Sequence, residues 1–341
     1  MTKLFRNAGI VDIENGDILK VDILVENGKI AKLEKAIVFD GEVIDLENNY
    51  VLPSFVNAFM NSVEAGKENY FENFMEEKKE NLKQFLLMKN LLAGAAFVND
   101  VCVTKVPVLE HLEEKSENEL SSLSMKIAKT GEKLFVKLGQ DLHSLGSIDK
   151  QYGKSAPLVL EDFGFLDRGA TIVGANCLEK DDLEVLGQYD CNFIILPSED
   201  GKVGRRQTNI ISLLKRGQEV CVGSGNSAEI DFFGFMRQLI FSMRSLFESE
   251  NALSESDVLK IATNGAALGF ENKIKVGENA TFSVICSRES LYDNVLKTLV
   301  WERSKNDVVM SVKNGEVLQK NGEIFMKNMP SYATIISGLK P

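Results

Sequence analysis

Residues 3–34 alternate apolar and polar positions, and Asn-Gly pairs interrupt the alternation at Asn15-Gly16 and Asn27-Gly28. Alternation sends successive side chains to opposite faces of a strand, and Asn-Gly suits the two positive-φ positions of a type I′ turn. The far end repeats the pattern, with apolar-rich runs at 308–312 and 317–320 followed by Asn314-Gly315 and Asn321-Gly322 respectively before and after the second run. Both ends therefore read as hairpins. Pairing them into one small β-sandwich, residues 1–50 with 275–341, brings the two ends of the chain together.

The middle, residues 51–274, follows another rule. Near-continuous apolar, β-branched runs occur at 50–59, 95–103, 134–138, 170–177, 191–197 and 219–223. Such runs suit parallel strands buried on both faces. Helical patterns separate most of them: Phe85, Met88 and Leu92 at helical spacing, then 117–129, 181–186, 210–214 and 231–247. A last one, 254–268, opens with Ser254 and Asp257 in a capping-box spacing. Alternating strands and helices predict a parallel α/β core. About thirty residues, roughly one βαβ unit, separate Val103 from Leu134. The expected fold is therefore a (β/α)8-type TIM barrel with six secure strands, a seventh if 106–109 counts, one or two short of eight.

Composition narrows the partners. The chain has 341 residues and a formal net charge of −11, which disfavours nucleic acid because like charges repel. No apolar run reaches the roughly 18 residues of a membrane span, and residues 1–6 lack the apolar stretch of a signal peptide. Five cysteines without metal-like spacing read as buried free thiols in a reducing cytoplasm. A small-molecule ligand is the expected partner, and self-association is left open.

Several stretches carry a resemblance. Val51-Leu52-Pro53-Ser54-Phe55-Val56-Asn57-Ala58, which enters the first core strand, is similar to "V-L-P-G-F-V-N-A-H-T-H" of the amidohydrolase superfamily, in its cytosine deaminase, chlorohydrolase and aminohydrolase branch. In order follow Leu92-Ala93-Gly94-Ala95-Ala96-Phe97-Val98, Tyr152-Gly153-Lys154-Ser155-Ala156, Gly164-Phe165-Leu166, Ile261-Ala262-Thr263-Asn264-Gly265-Ala266-Ala267-Leu268-Gly269 and Val276-Gly277-Glu278-Asn279-Ala280. These resemble the superfamily's "L-x-x-G-x-T-T-V", "Y-G-x-S-P", "G-L-L", "A-T-x-N-G-A-x-A-L-G" and "V-G-K-x-A-D". The resemblance covers most of the chain. It implies a barrel, a β-sandwich from both ends, and a zinc or iron ion that activates water for hydrolysis of C–N bonds.

The resemblance also places the metal donors, and there the residues differ. Where the superfamily ends its first strand in His-x-His, this chain has Phe59-Met60-Asn61; Lys137 and Gln140 stand for the fifth-strand His and its Glu; Asn176 stands for the sixth-strand His and Gly225 for the eighth-strand Asp. Zinc and iron need imidazole, thiolate or carboxylate donors, and without a metal the pKa of water stays near ~15.7 instead of falling to about 7. The expectation is a chain with no cofactor, a pseudoenzyme or small-molecule binder. An active C–N hydrolase and a non-catalytic partner of an active paralogue remain as alternatives.

Phe59, Asn61, Lys137, Gln140, Asn176 and Gly225 should converge at the barrel mouth, either as a polar ligand pocket or as a drifted site. The glycine-rich turn Gly223-Ser224-Gly225-Asn226-Ser227-Ala228 matches G-x-G-x-x-A but lacks the following βαβ context. It reads better as an anion cradle at a helix start, with Gly223, Ser224 and Ser227 beside Arg205 and Arg206. Plain solvated loop charge is the competing reading. The two histidines, His111 and His143, read as surface residues, His111 on a helix face.

Overall fold

The structure, a computed structural model, describes residues 2–69, 76–326 and 334–335. At the N-terminus β1 (Thr2–Val11), β2 (Ile18–Glu26) and β3 (Lys29–Glu34) form an antiparallel meander, while β4 (Glu42–Asp45) and β5 (Tyr50–Pro53) lie parallel to β1. The barrel strands are β6 (Phe55–Met60), β7 (Ala95–Asp100), β8 (Val108–Leu109), β9 (Phe135–Leu138), β10 (Thr171–Gly174), β11 (Asn192–Ile195) and β12 (Glu219–Val222). The chain then returns through β13 (Phe282–Ile285), β14 (Val308–Lys313), β15 (Glu316–Lys320) and β16 (Glu323–Ile324).

The two ends do combine. β13 pairs antiparallel with β5, which joins the N-terminal strands to β13–β16 in one continuous nine-stranded sheet. Its inward positions make a core of their own around Ile23, Val51, Phe282 and Val312, with Phe5 edge-on to Phe282 at 5.1 Å. Three Asn-Gly pairs have both residues at positive φ, as type I′ turns require: Asn27 and Gly28, Asn314 and Gly315, Asn321 and Gly322. The fourth does not. At Asn15-Gly16 only the glycine has φ > 0, and residues 12–17 form a wider loop closed by Asp12, whose carboxylate accepts from Glu14 N and Asn15 N. A competing Asx turn explains the difference.

The apolar run 50–59 divides at Ser54 between sheet and barrel. Ser54 Oγ accepts from Ala96 N at 2.8 Å and donates to Gly94 O at 3.1 Å, so this buried hydroxyl bonds the crossing point to the β7 entry. β6 pairs parallel with β7, and β8 through β12 form a parallel sheet in chain order. The two sheets meet where Gly225 N donates to Phe59 O and Asn61 N donates to Gly225 O, each at 2.9 Å. No ladder joins β7 to β8 among the described residues. Among the described residues the barrel has seven strands, closed at β12–β6 and open at β7–β8. Phe97, Val106, Val108, Leu268 and Phe270 pack beside that opening, with the Phe97 and Phe270 rings 4.3 Å apart.

Gly223 shows how tightly the closed seam is drawn. A Cβ there would lie 2.5 Å from Phe59 O and 3.0 Å from Phe59 N, backbone atoms that cannot rotate away. Gly223→Ala is expected to lower stability by about 1–3 kcal/mol, the usual cost of overpacking. A urea titration checks this; an unchanged midpoint means that the seam is loose.

Around the strands, helix Phe232–Phe247 buries Phe232, Phe233, Met236 and Ile240, and Phe232 stacks on Phe55 at 5.1 Å. The single helix expected over 254–268 is a helix at Glu255–Thr263, begun by the Ser254–Asp257 capping box, and a separate 3-10 turn at Ala266–Leu268. Asn264 ends the first. Its side chain donates to Val220 O on β12 and accepts from Ala266 N, an arrangement that turns the backbone out of the helix. Among the described residues no helix is long and apolar enough to cross a membrane.

Candidate functional site

The carboxyl ends of parallel barrel strands carry the loops where barrel enzymes place their chemistry. Phe59 sits there fully buried, 6.3 Å from the Phe135 ring, with Lys137 Nζ 5.5 Å above its centroid. Lys137 is also paired with Glu110 at 2.6 Å. Asn61 accepts from Glu64 N at 3.1 Å, in the first turn of helix Ser62–Asn69, and from the Cys102 thiol at 3.1 Å. Phe59 and Lys137 thus share one contact, while Asn61 serves the backbone.

Asn176 belongs to a second cluster, which the backbone of Gly225 joins to Phe59 and Asn61. Asn176 Nδ2 donates to Asp200 Oδ2 and to Arg206 O, each at 2.7 Å, and among the described residues its own buried Oδ1 has no partner. Gln140 lies against the same turn: a Cβ on Gly174 would meet Gln140 Cγ at 2.8 Å and Asn176 Oδ1 at 3.1 Å. Gly225, with φ +61°, leaves space that is filled from the neighbouring strand. A Cβ on it would lie 2.0 Å from Glu199 Oε2. The Glu199 carboxylate therefore occupies the place where a side chain at the end of β12 would begin.

Glu199 and Asp200 stand in the first turn of the short helix Pro197–Val203 that follows β11, and the fold buries both, 3% and 0% exposed. Glu199 Oε2 accepts from Asn226 N at 2.7 Å and Oε1 from Arg205 Nη1 at 2.8 Å; the same Nη1 is 3.6 Å from Asp200 Oδ1. Burial dominates at Asp200 and pushes its pKa from 3.8 to about 6, against the Asn176 hydrogen bond and the Arg205 charge that pull it down. Among the described residues Asp200 Oδ1 makes no hydrogen bond, and it lies 3.6 Å from the Arg205 guanidinium. A buried carboxyl that titrates near neutrality, with one oxygen held by Asn176 and the other beside a cation, is equipped to carry a proton.

The residues expected to cradle an anion are held by internal partners. Arg205 is clasped by the two carboxylates, and Arg206 lies 3.6 Å from Glu179. Gly223 and Ser224 line the seam, where Ser224 N and Oγ both bond Asn57, and Ser227 Oγ meets Ser198 Oγ at 2.9 Å while accepting from Glu229 N. Lys137, Arg205 and Arg206 each face an acid.

His143 is exposed on helix Leu142–Tyr152. His111 is exposed too, but it sits in the left-handed region before a 3-10 turn, not on a helix face. All five cysteines are free thiols, and burial pushes Cys221 up to about 12. Asp200 is the residue that sequence reading passed over. Its signal was present: two acids directly after an apolar strand and a proline.

No protein-family model matches the chain. It is 20% identical, over an alignment 402 positions long with gaps, to a 5-methylthioadenosine/S-adenosylhomocysteine deaminase of Caldicellulosiruptor saccharolyticus, covering 93% of each protein. A deaminase of the same name from Thermococcus onnurineus is 23% identical, with 95% of this chain and 96% of the relative covered. Among solved structures, a zinc-bound adenosine deaminase from Xanthomonas campestris superposes with a TM-score of 0.86 over 99% of this chain and 96% of that one, at 14% identity.

These findings correct two expectations. A catalytically silent chain does not agree with relatives named as deaminases along nearly the whole length, and that reading is withdrawn. The expectation of no cofactor is withdrawn as well, because the matching adenosine deaminase holds zinc. The donors present nevertheless do not suit such an ion. Among the described residues no group of three or more His, Cys, Asp or Glu side chains could hold a metal, and zinc sites draw their protein ligands from those side chains.

Proposed function

We propose, from the premise that the chain belongs to the amidohydrolase superfamily, that it is an aminohydrolase which removes ammonia from an adenine-nucleoside-like amine. The observation that carries this reading is the buried Asp200 carboxyl at the carboxyl end of a barrel strand, its pKa raised to about 6, with Oδ2 held by Asn176 and Oδ1 without a hydrogen bond among the described residues. The relatives' names supply the substrate class.

In hydrolytic deamination, water adds to the carbon bearing the amino group, a ring nitrogen takes up a proton, and the C–N bond breaks to give a lactam and ammonia. Both protons of the water must move, one to the ring nitrogen as the hydroxyl adds and the other to the departing amino nitrogen as the carbonyl forms. A carboxyl with a pKa near 6 is present in both protonation states near neutral pH and can serve both transfers. Asn176 fixes its Oδ2, so the proton resides on Oδ1. Glu199 and Arg205 hold the turn in place and keep a positive charge beside Asp200, which limits how far its pKa rises. No step is routed through a metal, because no group of His, Cys, Asp or Glu among the described residues could hold one.

The purified chain offered 5′-methylthioadenosine, S-adenosylhomocysteine, 5′-deoxyadenosine and adenosine is expected to release ammonia from at least one of them. The shift of the ultraviolet spectrum from an adenine to a hypoxanthine ring follows the same event. Absence of ammonia with all four, both in the protein as isolated and after addition of zinc, iron or manganese, overturns the proposal.

A further inference from the structure

A cavity of about 610 Å³ lies away from the strand-end cluster, between the helix Glu76–Leu92, the loop after β12 and the β14–β15 edge of the small sheet. Its size falls within the range of roughly 300–1,000 Å³ typical of small-molecule sites. Three cations line it: Lys89, Arg288 and Lys305. Arg288 is bonded to buried Asp307, and Lys305 lies 3.8 Å from Glu229. Lys89 Nζ donates to Ala228 O at 2.5 Å and has no acid within ion-pair distance among the described residues. The ammonium is half-buried, and desolvation holds its pKa below the usual lysine range. Glu229 offsets part of this charge from a distance, and an ammonium without a contacting acid in a partly dry cleft favours an anion beside it.

A second feature comes from the opposite wall. Gln319 is 1% exposed and stands in the cavity wall, and among the described residues its Oε1 has no hydrogen-bond partner. Buried amide oxygens are normally satisfied. Such an oxygen in the wall favours a donor on whatever enters. We propose that this cleft binds a small organic anion, a phosphate or carboxylate, that also carries a hydroxyl or N–H group. Lys89 and Lys305 hold the anionic end and Gln319 accepts from the donor. The site is distinct from the Asp200 cluster and does not depend on the deaminase reading.

Isothermal titration of the full chain tests this with four probes at matched ionic strength: glycerol 3-phosphate, inorganic phosphate, malate and succinate. Saturable binding of glycerol 3-phosphate or malate is expected, weaker for the partner compound that lacks the hydroxyl, and whichever of the two binds identifies the anion. Lys89→Gln and Lys305→Gln should each weaken it about tenfold, a change of about 1.4 kcal/mol, and Asp200→Asn should leave it unchanged. Cys286, a half-buried thiol on the cavity wall, gives a second readout. The bound anion should slow its alkylation and leave that of Cys102 unaffected. No saturable heat with any probe, or an affinity that Lys305→Gln does not alter, overturns the proposal.

Discussion

Asp200→Asn is expected to remove the deaminase activity and, near pH 8, to make the folded protein more stable. The folded pKa of about 6 stands above the ordinary 3.8. The native state therefore binds the proton more tightly than the unfolded chain does. The stabilisation this gives is complete below pH 3.8 and is lost as pH rises through about 6. Above that, a buried charge remains that costs up to about 3 kcal/mol relative to the acid form. Asparagine is nearly isosteric, its oxygen can still accept from Asn176, and it carries no charge to desolvate. Urea titrations should show the variant more stable than the parent by about 1–3 kcal/mol near pH 8, with the advantage gone near pH 4. Loss of a general acid–base group costs about 10²–10⁴ in kcat. An acid kept for structure predicts the reverse on both counts. A variant that retains most of its activity, or is less stable near pH 8, ends the assignment of Asp200 as the proton carrier.

That pairing of outcomes is the usual mark of a site whose chemistry opposes its stability, and it bears on what could be read from the sequence. The barrel was legible because burial on both faces forces continuous apolar runs, and even the two-residue β8 lay within the expected 106–109. The division of 50–59 at Ser54 was not legible. A buried serine satisfied across the seam breaks neither the apolar pattern nor β propensity. The candidate site was read at the positions a resemblance assigned and at the glycine-rich turn with its neighbouring arginines. Phe59, Asn61, Lys137, Gln140, Asn176 and Gly225 are where strand ends were expected, but periodicity cannot show that Glu199 reaches from one strand end into the space beside Gly225. Nor can it show that Arg205 turns inward. Each fact depends on one side-chain direction in one tight turn, which local sequence does not determine.

Arg205→Met should then be the most destabilising of the substitutions considered. Methionine keeps most of the apolar stem and removes the charge that faces Glu199 and Asp200, which are 3% and 0% exposed. Removing one partner of a buried ionic cluster costs about 3–5 kcal/mol because the remaining charge is left without compensation. The Arg205 side chain is itself 27% exposed, so the lower end, about 3 kcal/mol, is expected. The deficit should shrink as pH falls, since protonating the two carboxyls removes the charge the arginine balances. Glu199→Gln added to Arg205→Met should recover about 1–2 kcal/mol, because the amide oxygen can still accept from Asn226 N while one uncompensated charge is gone. A loss below about 1 kcal/mol for the single variant, the size of an exposed pair, contradicts the clasp. The same substitution links the cluster to catalysis. With the guanidinium gone, the pKa of Asp200 should rise further, and the pH limb of kcat expected near 6 should move upward with it. A limb that stays in place while stability falls separates the two roles and assigns Arg205 to structure alone.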